Sequence, residues 1–113
     1  GVYLTSDIME AKLYSLARDK ERKNKGWGIK RINQKAYLIL RKEKWLDSEI
    51  YQLNKIGYVY QIKTKNYKKN PYNETEYIIQ QDIKPNKKII VKFEDIKKNI
   101  IYKNKKEFYE IFE

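Results

Sequence analysis

The chain contains no His and no Cys. Nucleophilic Ser-His and Cys-His pairs are therefore excluded, as are disulfides and zinc sites built from Cys and His. No Asp/Glu run has calcium-loop spacing, and no Gly-rich phosphate loop is present. The remaining chemistry belongs to carboxylates, hydroxyls, tyrosines and cations. Tyrosine accounts for 11 residues, and its face attracts planar groups and cations by stacking and cation–π contact. A carboxylate fixed on rigid backbone stabilises positive charge that develops as a bond breaks. A second carboxylate can orient or deprotonate an acceptor. Glu74 and Glu76 lie two positions apart, Glu74 in a polar loop and Glu76 at the start of an apolar strand pattern.

Such side chains need elements to hold them. At 113 residues the chain is one domain at most, 1–113, and 41% hydrophobic residues suffice for one packed core. Val2 to Thr5 alternates as a short strand. Asp7 offers an N-cap, and Glu10 three residues on has capping-box spacing. Ile8, Met9, Lys12, Leu13, Leu16 and Ala17 follow at helical intervals, which predicts an amphipathic helix from residue 7 to about residue 23. Gly26-Trp27-Gly28 breaks it. Ala36-Tyr37-Leu38-Ile39-Leu40 predicts a buried strand. Leu46 to Lys55 has helical spacing but is ambiguous. Tyr58 to Thr64, Glu76 to Gln81 and Lys88 to Phe93 predict strands, separated by the polar loop Lys65 to Thr75 and the Pro85-Asn86 turn. Lys105 to Glu113 predicts a last helix. A strand, a helix and then mostly strands is an α+β order, not an alternating βαβ one. The sequence opens inside a strand pattern, so the expectation is a fragment whose domain begins before Gly1.

Two stretches resemble a known family. Gly1-Val2-Tyr3-Leu4-Thr5-Ser6-Asp7, running on through Glu10-Ala11-Lys12-Leu13-Tyr14, resembles the strand-to-helix segment of ADP-ribosyltransferases of the diphtheria-toxin and poly(ADP-ribose) polymerase type, the His-Tyr-Glu class. In that family two tyrosines with ten residues between them flank the nicotinamide, and Tyr3 and Tyr14 have that spacing. Tyr72-Asn73-Glu74-Thr75-Glu76-Tyr77-Ile78-Ile79, then Ile83-Lys84-Pro85 and Ile89-Ile90-Val91, is similar to the catalytic-glutamate strand and the closing strand after it. Glu76 matches the glutamate. Glu74 resembles the first member of the Glu-x-Glu pair in arginine-specific relatives. Tyr58 to Ile62 is similar to the strand before the glutamate loop, and to small antibiotic-modifying relatives. Ala11 departs from the polymerases, which usually carry a Ser there against the nicotinamide amide. The family's first motif, a His or Arg on an upstream strand, has no counterpart here. Either that strand precedes Gly1 or the domain is degenerate and inactive.

The resemblance implies an ADP-ribosyltransferase-like α+β fold, mainly antiparallel, with one amphipathic helix after the first strand. It implies NAD as the substrate, no metal, and transfer of ADP-ribose to a protein, nucleic acid or small-molecule acceptor. Tyr3 and Tyr14 would sandwich the nicotinamide, and Glu76 would stabilise an oxocarbenium-like ribose. Thr5, with Ser6 and nearby Lys and Arg, would contact the pyrophosphate. A toxin-like bacterial or phage protein is expected, cytoplasmic or secreted as an effector. The loop Asn66 to Thr75, mostly Lys and Asn, does not identify the acceptor.

The same residues fit plainer roles. Tyr3 and Tyr14 also suit core packing, Glu76 a solvent-facing strand position, and Glu74 a loop charge. Arg18 to Lys25 suits a solvated helix end, and Trp27 a buried loop anchor or a base-stacking platform. The net charge of +11 favours polyanions. With aromatics interleaved among cations, as in Tyr58-Val59-Tyr60-Gln61-Ile62-Lys63, it supports a second class: a non-enzymatic nucleic-acid-binding or interaction module on an inactive ADP-ribosyltransferase-like fold. The joint excess of Lys, Asn, Ile and Tyr is an alternative source of that charge, and no helix-turn-helix, zinc-finger or RNA-recognition signature accompanies it. No apolar run reaches roughly 18 residues, so no membrane partner is expected, and Gly1 to Asp7 lacks the regions of a signal peptide.

Overall fold

Strand β1 (Val2–Thr5) passes into helix α1 (Ile8–Leu16) through Ser6 and Asp7 alone. The computed structural model describes residues 2–17, 26–45, 53, 55–63, 68–69, 76–79 and 85–112. Asp7 is extended, and its Oδ1 accepts from the N–H groups of Met9 at 2.9 Å and Glu10 at 3.2 Å. Two of the donors left open by the first turn are thereby satisfied. The predicted N-cap is correct. Its partner Glu10 does not stay at the surface: it is buried, whereas Ile8 of the predicted apolar stripe is exposed. The helix ends at Ala17, whose N–H donates to the Leu13 carbonyl at 3.0 Å. The predicted continuation toward residue 23 lies outside the described residues.

After Gly26 the chain forms a hairpin the sequence did not announce. Strands β2 (Trp27–Ile32) and β3 (Lys35–Arg41) pair antiparallel, with Ile32 opposite Lys35. Asn33 and Gln34 form the two-residue loop at φ 51° and 69°. Two positive φ values define a type I′ turn, whose twist matches that of the flanking strands. Gly26 enters at φ 68°, and its carbonyl accepts from the Arg41 N–H at 2.8 Å. Arg41 leads into one helical turn, α2 (Lys42–Trp45). Of the ambiguous segment 46–55, only Leu53 and Lys55 are described.

The predicted strand at Tyr58 runs over Ile56–Gln61 as β4, and the one at Lys88 over Lys87–Lys92 as β7. These two pair antiparallel as a ribbon, with Gly57 opposite Val91 and Tyr58 opposite Ile90. Phe93, expected in the strand, instead starts a short helix, α3 (Phe93–Ile96), where the Lys92 N–H donates to Asp95 Oδ2 at 2.7 Å. A 3₁₀ turn (Lys97–Asn99) follows, then strand β8 (Ile100–Lys103) and helix α4 (Lys105–Phe112), the expected last helix. Strand β8 lies parallel to β3, the one parallel ladder among the described residues. Asn99, buried just before it, donates from Nδ2 to the Ala36 carbonyl at 2.9 Å. Strand β6 (Glu76–Ile79) lies between β1 and the two-residue β5 (Lys68–Lys69), antiparallel to both. Strand β5 falls inside the segment expected to be loop. The architecture is α+β with mostly antiparallel strands.

One core joins these parts. Leu13, Leu16 and Ala17 of α1 meet Trp27, Ala36, Leu38 and Leu40 of the β2–β3 hairpin, together with Val91 and Ile96. Alternation turns Ile39 to the opposite face, where it is equally buried. That side is closed by α4: the Phe112 ring lies over Gly28, the residue paired with Ile39, and Phe108 is buried. Arg41 ties α4 down by donating from Nη1 to the Tyr109 hydroxyl at 2.8 Å.

Helix α1 comes close enough to β4 that a Cβ on Gly57 would stand 2.7 Å from the Ser15 carbonyl oxygen. A backbone atom cannot swing aside, so Gly57→Ala must shift the helix, at a cost of about 1–3 kcal/mol. Gln34→Gly is expected to act in the opposite direction. It relieves a left-handed residue with an exposed side chain and creates the favoured Asn-Gly turn, a gain of about 1 kcal/mol. Denaturant melts of both variants beside the parent check the two signs.

Candidate functional site

Strand β1 is tied to the glutamate strand by an unbroken register. Val2 pairs with Ile79, Tyr3 with Ile78, Leu4 with Tyr77 and Thr5 with Glu76. Three of the four residues marked by the sequence, Tyr3, Thr5 and Glu76, therefore occupy one antiparallel ladder, Thr5 opposite Glu76 and Tyr3 two positions along. On the other side of β6, Lys68 pairs with Ile78 and Lys69 with Tyr77. Glu74 lies outside the described residues.

Tyr14, the fourth marked residue, sits off the buried stripe of α1. It is 42% exposed, so it packs at the margin of the core and not inside it. Its ring meets the edge of Trp27 with centroids 6.4 Å apart and planes at 77°, a favourable T-shaped contact. Trp27 is buried as expected, but on strand β2, not in a loop. Its indole N–H has no hydrogen-bond acceptor among the described residues. A buried donor left in that state costs about 1–3 kcal/mol, so the strand beside Tyr14 carries an unmet polar demand.

The turn between β1 and α1 is occupied by its own groups. The Thr5 hydroxyl accepts from the Asp7 N–H at 3.1 Å. Arg31 reaches from β2 and donates through Nη1 to Asp7 Oδ2 and, at 3.3 Å, to Glu10 Oε2, while Nη2 donates to the Gln34 carbonyl at 2.7 Å. A helix N-terminus ordinarily attracts phosphate. Here Asp7 already fills that position with negative charge. Pyrophosphate contact on the first turn of α1 is disfavoured, and Arg31 is already engaged by two carboxylates. Among the described residues no group of three or more acidic side chains is arranged to hold a metal ion.

The Asp7–Arg31–Glu10 cluster is the part of this region that sequence reasoning missed. Asp7 and Glu10 carried a local helix-start signal, whereas Arg31 joins them from 21 and 24 positions away. Burial pushes the Asp7 carboxyl upward, but the Arg31 hydrogen bond, the Glu10 and Met9 N–H groups and the Arg31 charge outweigh it, so its pKa falls below the ordinary value. A depressed carboxyl pKa adds stability above the unfolded value of about 3.9, and that contribution disappears as pH falls through the lower folded value. Asp7→Asn retains an N-cap acceptor but loses the charge. It should lower stability by about 1 kcal/mol near neutral pH. The deficit should shrink as pH falls from the unfolded value through the lower folded value of Asp7. Thermal melts of both proteins across the acid range check this, and a deficit independent of pH contradicts it.

No helix among the described residues is long and apolar enough to cross a membrane. Comparison with protein-family models, with curated proteins and with solved structures finds no match for the chain.

Proposed function

We propose that the chain carries the NAD-binding part of an ADP-ribosyltransferase and transfers ADP-ribose from NAD to an acceptor. The observation that carries this reading is the β1–β6 register, with Thr5 opposite Glu76 and Tyr3 two positions along. Tyr3 and Glu76, 73 positions apart in the sequence and each singled out for its resemblance to a different motif of one family, lie on paired strands two register positions apart. Chance spacing in a Tyr-rich chain gives no reason for that pairing.

Transfer requires the bond between nicotinamide and the ribose anomeric carbon to break, leaving neutral nicotinamide and positive charge on the sugar. A carboxylate at position 76, opposite Thr5 at the first residue of β6, starts from ladder backbone and would oppose that charge. Tyr3 begins the recognition of the nicotinamide from the same ladder. Tyr14 adds an accessible aromatic face from the helix that follows. The acceptor then bonds to the anomeric carbon and gives up a proton. With the first turn of α1 closed by Asp7, the pyrophosphate is left to Lys side chains elsewhere on the chain.

Nicotinamide release from labelled NAD tests the reading directly. Glu76→Gln should reduce the rate by about 100-fold or more with an unchanged melting temperature. Tyr14→Ala should weaken NAD binding, and Tyr14→Phe should preserve it. A protein that releases no nicotinamide and shows no thermal shift with NAD is not a transferase, whatever its fold.

A further inference from the structure

Helix α1 packs on only one face of the β4–β7 ribbon. Gly57 and Val91 are buried on that side, with Val59 packed against the core. The other face carries Ile56, Tyr58 and Tyr60 from β4 and Lys88, Ile90 and Lys92 from β7, cross-strand partners in the order Ile56–Lys92, Tyr58–Ile90 and Tyr60–Lys88. Its four large apolar side chains are about half open to solvent: Ile56 50%, Tyr58 48%, Tyr60 51% and Ile90 57%. Lys88 Nζ stands 4.2 Å from the centroid of the Tyr58 ring, within cation–π range.

We infer that this outer face of the β4–β7 ribbon is a docking platform for single-stranded nucleic acid. Two exposed tyrosines on alternate positions of a strand are separated by about 7 Å. That is about twice the 3.4 Å rise of a stacked nucleotide strand, so the platform suits bases splayed apart and stacked on side chains, not a duplex. The six positions of the face include two cations and no acid. The charge is also graded along it. Lys63 follows the Tyr60–Lys88 end, where its N–H is anchored to Asn86 Oδ1 at 3.1 Å, whereas at the Ile56–Lys92 end Glu94 and Asp95 offset Lys55 and Lys92. The phosphate backbone is therefore directed to the Tyr60 end. Base stacking on aromatics together with a cationic track is how sequence-tolerant single-strand binders work. An acidic protein partner could use the cations but has no need of the exposed Tyr60 ring set beside the Lys88–Tyr58 pair. The platform belongs to the β4–β7 ribbon and the NAD reading to the β1–β6 ladder, so either stands without the other.

Fluorescence anisotropy with labelled oligothymidylate and oligouridylate of about 12 nucleotides tests the inference on the full chain. Binding should be present at about 50 mM salt and fall steeply by about 200 mM. The Tyr58→Ala/Tyr60→Ala pair should weaken it by about tenfold or more, and the Tyr58→Phe/Tyr60→Phe pair should restore it. Lys88→Glu, at an exposed position of the same face, should weaken binding and lower the salt slope by about 1. Each variant is first checked for an unchanged thermal melt, and Lys88→Glu probes the face should the Ala pair unfold. Failure to bind at low salt overturns the inference. Unaltered binding by the Ala pair or by Lys88→Glu, or a preference for duplex over single strand, overturns it as well.

Discussion

Helix α1 must lie against two sheets at once, and the rest of the structure follows from how that is achieved. Its Leu13, Leu16 and Ala17 share a core with Ala36, Leu38 and Leu40 of one sheet and Val91 of the other. Neither sheet could bury that apolar surface without the helix. A side chain at position 57 would hold the helix off the ribbon, and glycine removes it where the Ser15 backbone passes. Close approach on that side fixes the depth of the helix, while Arg31 fixes its first turn on the other by holding Asp7 and Glu10 together. Since only Ser6 and Asp7 separate α1 from β1, the placement of the β1–β6 ladder is inherited from the same contacts.

Much of this scaffold was legible in the sequence because its causes are local. Asp7 caps a helix through donors two and three residues away. The run Ala36 to Leu40 is uninterrupted because β3 is covered by α1 on one face and α4 on the other, so its two-residue alternation had no polar side to reveal. Glu76–Ile79 and Lys105–Phe112 also stand where expected. The hairpin escaped notice because its loop is Asn33-Gln34, not Asn-Gly: Gln34 adopts the left-handed conformation without the residue type that advertises it. Arg31 also supports that turn locally, donating to the Gln34 carbonyl three residues on. Strand β8 was hidden differently. Its Ile100-Ile101-Tyr102 run is brief, is set among Lys and Asn, and pairs in parallel with a strand 62 positions earlier.

The marked residues divide along the same line between local and distant causes. Tyr3 and Glu76 were marked by family resemblance, not by any periodicity, and the pairing of β1 with the strand that carries Glu76 was not foreseen from either. The surroundings of Tyr14 could not be anticipated. Its neighbour Trp27 was read as a loop residue, and only the hairpin brings that indole to the helix. The negative charge at the first turn of α1 was written plainly in Asp7 and Glu10. Its consequence for a phosphate ligand depends on the geometry of that turn, where the carboxylates and Arg31 satisfy one another.

The excess of basic residues looks different once the side chains are placed. A compositional surplus of Lys and Tyr would scatter over any solvent-facing position. On the β4–β7 ribbon Lys falls on both faces, Lys87 on one and Lys88 and Lys92 on the other, but both ribbon tyrosines turn outward: Gly57, Val59 and Val91 turn inward, and Ile56, Tyr58, Tyr60 and Ile90 turn outward. Docking against α1 requires only the inward set. Polar residues on the outward set would satisfy the fold and reduce the risk of edge and face association. Retaining large aromatic and aliphatic groups there, with Lys88 lodged against Tyr58, is an arrangement that folding alone does not demand. Cations beside the rings also oppose self-association, since stacking two such faces would bring like charges together. What the arrangement favours is a partner that supplies negative charge and flat rings in the same molecule.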